Sequence, residues 1–313
     1  MKSIDYLNPL NSTKLIALDH YFNEMISLYN SKKFPKVLLL SGKKGIGKFT
    51  MVIHFLNYIF SAKEKNAYSL KDKTININSI FYNQLLNSTN QDILLIKAEE
   101  NKNIKIDDIR NLKSIISRSS LSNNPRFIII DEVEYMNENS ANALLKSLEE
   151  PTPNNHFILI NNNQKELIKT ITSRCLINNI FLNQSSAISI VNYLLDHNKI
   201  ENFIDYNFNL TPGLFLRFNE IYIKLNLNKN DHISIKINKL LNSYKKTKSK
   251  LLINLTLYLI DQYFLSLVQL NKDQLDYLIK IKLSIVNSIN DFIYYNLNIN
   301  SVLNSIEIKL KNV

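Results

Sequence analysis

Val37-Leu38-Leu39-Leu40-Ser41-Gly42-Lys43-Lys44-Gly45-Ile46-Gly47-Lys48-Phe49-Thr50 decides the fold of this 313-residue chain. Four consecutive apolar residues predict a buried strand. Three glycines then punctuate a loop that ends in Lys48. A helical pattern follows, with Val52, Phe55, Leu56 and Ile59 on one face. Strand, glycine loop, lysine and helix make the layout of a phosphate-binding P-loop. Gly42, Gly45 and Gly47 let the backbone turn its N–H groups toward phosphate oxygens, and Lys48 adds a full positive charge at the helix start. The position after the lysine breaks the pattern. A P-loop places a Ser or Thr hydroxyl there to hold Mg²⁺, and this chain has Phe49. Thr50 comes one residue late. Neighbouring side chains on a helix diverge by about 100°, so Thr50 remains near the cradle without replacing the lost ligand.

A second carboxylate-bearing stretch lies downstream. Arg126-Phe127-Ile128-Ile129-Ile130-Asp131-Glu132 reads as a buried strand ending in an acidic pair, the Walker B pattern. At the carboxyl end of a parallel strand, Asp131 can hold Mg²⁺ through water and Glu132 can orient an attacking water. Two further strands are expected at Asp92–Ile96 and Phe157–Ile160, and a fifth near Leu176–Phe181. The first is followed by a helix with Ile106, Ile109, Leu112, Ile115 and Ile116 on its inner side. Its Lys105, Arg110, Lys113 and Arg118 suit either a solvated face or a nucleic-acid backbone. Asn137 is the expected N-cap of a helix whose Ala141, Leu144, Leu145 and Leu148 form one stripe, and which Pro151 and Pro153 stop. Asn161-Asn162-Asn163 closes the fourth strand, as a polar turn or a γ-phosphate sensor. Arg174, just before the fifth strand, suits either a helix end or an arginine finger reaching a neighbouring nucleotide site.

Composition sets outer bounds. Apolar residues make up 45% of the chain, enough for packed cores. The formal charge is +11, from 38 basic and 27 acidic residues, which favours an acidic partner such as nucleic acid. The single cysteine, Cys175, excludes an internal disulfide and a cysteine-rich zinc site and fits a reducing cytoplasm. Residues 61–91 read as a polar surface connection with a short apolar interlude around Ile80-Phe81. Leu15, Leu18, Tyr21, Phe22 and Met25 read as an entry helix closed by Pro35. The run from Leu251 to Val268, interrupted by Asn254, Asp261 and Gln262, reads as a buried helix rather than a membrane span. From Phe181 onward the apolar stripes are all helical.

Gly42–Thr50, Ile128–Asn137, Ala141–Pro151 and Thr172–Cys175 together resemble the clamp-loader branch of the AAA+ ATPases, its stationary subunits more than its motor subunits. The phrases DEVEYMNENSANALLKSLEEP and TITSRC carry most of that resemblance, which covers roughly residues 35–180. It implies an α/β P-loop AAA+ module, residues 1–180, whose five-stranded parallel sheet has the order 5-1-4-3-2. A helical lid (181–228) and an all-α collar (229–313) for oligomerisation would follow. It also implies a cytoplasmic hetero-pentamer with gamma/tau and delta subunits of bacterial DNA polymerase III. That assembly uses ATP to load a sliding clamp onto primed DNA, and Arg174 would be the finger given in trans. Phe49, and a lid in which Leu210-Thr211-Pro212-Gly213-Leu214 carries no sensor arginine, imply ATP and Mg²⁺ binding that is weak or vestigial. The intact Asp131-Glu132 pair points the other way. The zinc module of many relatives is absent or metal-free here. Two other readings stay open: a self-sufficient ATPase motor of gamma/tau type, and a DNA-binding module that needs no ring.

Overall fold

A computed structural model describes residues 5–98, 103–117, 124–206, 210–270 and 274–311. The chain divides into two compact units, residues 1–201 with 206–216, and 202–205 with 217–313. In chain order the first unit comprises α1 (Asp19–Asn30), β1 (Val37–Ser41), α2 (Lys48–Phe60), α3 (Ile80–Leu86), β2 (Ile93–Lys97), α4 (Ile106–Ile116), β3 (Arg126–Asp131), α5 (Glu138–Glu149), β4 (Asn155–Asn161), α6 (Lys169–Thr172), β5 (Leu176–Asn179) and α7 (Gln184–Asn198). Helix α8 (Pro212–Lys224) begins in this unit.

The sheet runs β2-β3-β4-β1-β5, every pair parallel. Read from the other edge this is the expected 5-1-4-3-2. The central strands are buried on both faces, which is why they read as uninterrupted apolar runs. One core, with Leu38, Leu40, Phe55, Phe127 and Ile158, lies on the α1–α2 side. The other, with Leu39, Ile128, Leu144 and Leu159, lies on the α4–α5 side. Asn137 caps α5 by accepting the Ser140 N–H at 2.8 Å.

Some expectations need correction. The entry helix begins at Asp19 and ends at Asn30, so Leu15 precedes it and Pro35 does not stop it. Ile115 on α4 is exposed. Arg110 pairs with Asp107 one turn earlier, and Arg118 lies outside the described residues. Residues 61–91 are more than a surface connection, since Tyr68, Ile75, Phe81 and Tyr82 are buried in the α1–α2 core. Phe81 stacks on Phe60 with centroids 4.8 Å apart. Tyr68 and Ile75 stand singly among polar residues with no period, and the interlude at Ile80-Phe81 is too short to announce the buried face of α3.

His54 ties this segment to α2. Its Nε2 donates to the Ser12 carbonyl at 2.9 Å, which leaves Nδ1 to accept the Tyr68 hydroxyl at 3.0 Å. Burial pushes its pKa down to about 4. The unfolded ring binds a proton near pH 6.5 and the folded ring does not until about pH 4. The His54 contribution is therefore whole above pH 6.5 and is lost as pH falls toward 4. Between pH 7 and 5 the wild-type chain should lose about 2 kcal/mol relative to His54→Gln. Parallel urea titrations of the two at each pH would check this, and parallel pH curves would refute it.

The second unit is helical, with the end of α8 followed by α9 (Ile233–Thr247), α10 (Lys250–Leu270), α11 (Leu275–Tyr295) and α12 (Ile299–Lys311). By length and composition alone α10 would also suit a membrane span, despite its polar interruptions. Within this unit it buries Leu252, Leu255, Leu259, Ile260 and Phe264, the behaviour of a core helix.

Candidate functional site

The P-loop forms where the sequence places it. β1 ends at Ser41, and Gly45 and Gly47 take left-handed backbone angles, φ 86° and 96°, before α2 begins at Lys48. These are angles that only glycine adopts without strain. A Cβ on Gly42 would lie 2.4 Å from the Ile180 carbonyl oxygen, so that position has no room for a side chain.

Four carbonyl oxygens of this loop, those of Gly42, Lys43, Lys44 and Gly45, accept hydrogen bonds from the chain itself. Lys48 curls back and donates to the Gly42 and Lys43 carbonyls at 2.6 and 2.8 Å. It is 3% exposed, and burial pulls its pKa down to about 8 against the opposing charges of Asp131 and Glu134. The Thr211 hydroxyl donates to the Lys44 carbonyl at 2.7 Å, and the Gly213 N–H to the Gly45 carbonyl at 2.9 Å. The segment that opens α8 is thus seated on the phosphate loop.

Asp131 and Glu132 lie at the end of β3, both buried. Each meets an ammonium group of this chain. Lys97 Nζ, at the end of β2, is 3.5 Å from Asp131 Oδ2, and Lys44 pairs with Glu132. Glu132 sits at φ 62°. Burial raises the Asp131 pKa, and the Lys97 and Lys44 charges oppose that rise. Glu134 was not among the sequence candidates. It is 4% exposed, accepts the Asn162 N–H at 3.0 Å, and has its pKa raised by burial. A second glutamate two places after the Walker B pair was the available signal. At the end of β4, Asn161 and Asn163 bond to each other and to Ser41, a polar knot between two strand ends.

Mg²⁺ needs oxygen donors in near-octahedral array. Phe49 supplies a half-buried ring where the hydroxyl ligand belongs, and Lys97 lies 6.0 Å from that ring's centre. Thr50 lies on the next face of α2, half-buried. A phenyl ring and a lysine beside Asp131 do not fit a magnesium ion.

Arg174 is apart from this cluster, directly after α6. Its side chain is 31% exposed. Nε and Nη2 donate to Glu149 Oε1 at 2.8 and 2.5 Å, and Nη1 to the Thr170 carbonyl and the Ser173 hydroxyl at 2.9 and 3.0 Å. Glu149 ends α5, where a carboxylate opposes the helix dipole. Arg174 offsets that charge, and Glu149 fixes the guanidinium plane. The neighbouring Cys175 thiol donates to the Ile171 carbonyl, and burial pushes its pKa up to about 11.

Parallel strand order, glycine loop and acidic strand end define a P-loop module of the kind the AAA+ resemblance implied. Residues 18–183, more than half of the chain, match the family described as DNA polymerase III, delta subunit. The chain belongs to that family. Curated relatives include DNA polymerase III subunit delta' of Buchnera aphidicola subsp. Schizaphis graminum, 29% identical over 58% of this chain and 53% of the relative. Subunit delta' of Pseudomonas aeruginosa is 31% identical over 44% and 40%. A subunit named gamma, also from Buchnera aphidicola subsp. Schizaphis graminum, is 29% identical over 59% and 48%. The chain spans about half the length of the curated relatives it matches. A DNA polymerase III gamma subunit-related protein from Thermotoga maritima shares 18% identity at a TM-score of 0.43, covering 91% of this chain and 98% of that one. A likeness of that degree bears on neither fold nor function.

Proposed function

We propose that this chain is a stationary, delta'-type subunit of a bacterial DNA polymerase III clamp loader, and that it lends Arg174 to the ATP site of a neighbouring motor subunit. Partners of gamma/tau and delta type would complete a cytoplasmic hetero-pentamer that places a sliding clamp on primed DNA. Residues 1–180, 181–228 and 229–313 would serve as P-loop module, lid and collar. The observation that carries the reading is a contrast between two sites. In the chain's own phosphate loop the Lys48 ammonium is turned onto the loop carbonyls and Phe49 stands where the metal ligand belongs, while Arg174 stands at the surface with its guanidinium plane fixed. An arginine in such a posture can meet the γ-phosphate charge of a nucleotide held by another chain.

The test is reconstitution with gamma/tau-type and delta-type subunits, with clamp and primed DNA present. ATP turnover should depend on this chain and on Arg174, and should be indifferent to Lys48→Ala. Brisk hydrolysis by the isolated chain, abolished by Lys48→Ala, would instead establish a motor.

A further inference from the structure

The Walker B carboxylates of this chain are intact although the hydroxyl that should share their metal is gone. Their surroundings resolve the contradiction. Asp131 and Glu132 are 5% and 6% exposed, and a buried carboxylate needs a counter-charge. In a working P-loop the bound metal supplies it. Here β2 ends in Lys97, whose register partner on β3 is Asp131 itself. Parallel pairing therefore delivers an ammonium to the carboxylate, with Nζ 3.5 Å from Oδ2. The same ammonium lies over the Phe49 ring, at the outer reach of a cation–π contact. Phe49 is thus more than a lost ligand, because its ring face borders the cation that stands in for the metal. From the loop side, Lys44 pairs with Glu132.

We propose that Lys97 and Lys44 are built-in cations that hold the Asp131 and Glu132 charges in place of Mg²⁺, so that this site takes no divalent metal. The inference goes beyond the Arg174 reading and stands or falls separately from it. It concerns the charge balance of the chain's own site rather than its effect on a neighbour. Lys97 is half exposed, so its replacement leaves the core packing intact.

Thermal unfolding of the full chain, followed in EDTA and in millimolar magnesium chloride, tests it. The wild-type midpoint should be the same in both. Lys97→Met should lower the midpoint in EDTA by about 2–4 °C. Magnesium should then recover part of that loss, because a metal can reach a carboxylate the ammonium has vacated. Adding Asp131→Asn to Lys97→Met should remove the magnesium response and restore the EDTA midpoint, since no unpaired charge remains. A wild-type midpoint that rises with magnesium as much as that of Lys97→Met would overturn the proposal. So would a Lys97→Met midpoint that equals the wild type in EDTA.

Discussion

Arg174→Ala should cut ATP turnover of the reconstituted assembly by about 10³-fold while leaving its composition unchanged. The size follows from what an arginine finger does. It meets charge that develops on the transferring phosphoryl group in a site from which water is largely excluded. The separation from assembly follows from position. Arg174 is part-exposed at the end of α6, and its bonds are to Glu149, Thr170 and Ser173, all within its own unit. Arg174→Lys should not rescue, because a single ammonium cannot reproduce the fixed fork. Glu149→Ala should cost less, about 10-fold, by letting the guanidinium swing while its charge remains. Combined with Arg174→Ala, Glu149→Ala should add nothing, since its whole effect runs through the arginine. Steady-state ATPase beside size-exclusion profiles of each assembly reads all of these. Unchanged turnover for Arg174→Ala would remove the finger role.

What the sequence revealed and what it hid divide along a physical line. The strands were legible because burial on both faces demands uninterrupted apolar runs, and Gly42, Gly45 and Gly47 mark the bends between elements. Asn137 announced α5 because a cap is a local device. Relations between distant stretches were not legible. Lys97 lies one residue past the expected strand Asp92–Ile96 and carries no signal of its own, and only the β2–β3 register sets it against Asp131. Phe49 read as a deletion of function because the cation beside it comes from another strand. Arg174 allowed a helix-end reading and a finger reading, and the structure gives it a carboxylate at the end of a different helix. His54 carried no signal at all, since its partners Ser12 and Tyr68 belong to stretches without periodicity.

The engaged phosphate loop makes a prediction whose sign is diagnostic. Gly213 is the second residue of α8, where helix propensity alone says that Gly213→Ala should stabilise by up to about 1 kcal/mol. The packing says the reverse. A Cβ there would lie 2.8 Å from the Gly45 Cα and 3.0 Å from the Gly45 oxygen. Both are backbone atoms of a tight loop, so neither can yield as a flexible side chain would. Gly213→Ala should therefore destabilise by about 1–3 kcal/mol, the range for overpacking. Gly45→Ala should cost more. It adds a left-handed angle, φ 86°, to a Cβ that would meet the Thr211 hydroxyl at 2.6 Å. Thr211→Ala removes that hydroxyl and its bond to Lys44, so the double variant with Gly45→Ala should be less damaged than the two single losses summed. Denaturant midpoints at constant slope measure each case. If Gly213→Ala raised the midpoint, the close seating of the α8 start on the loop would be wrong.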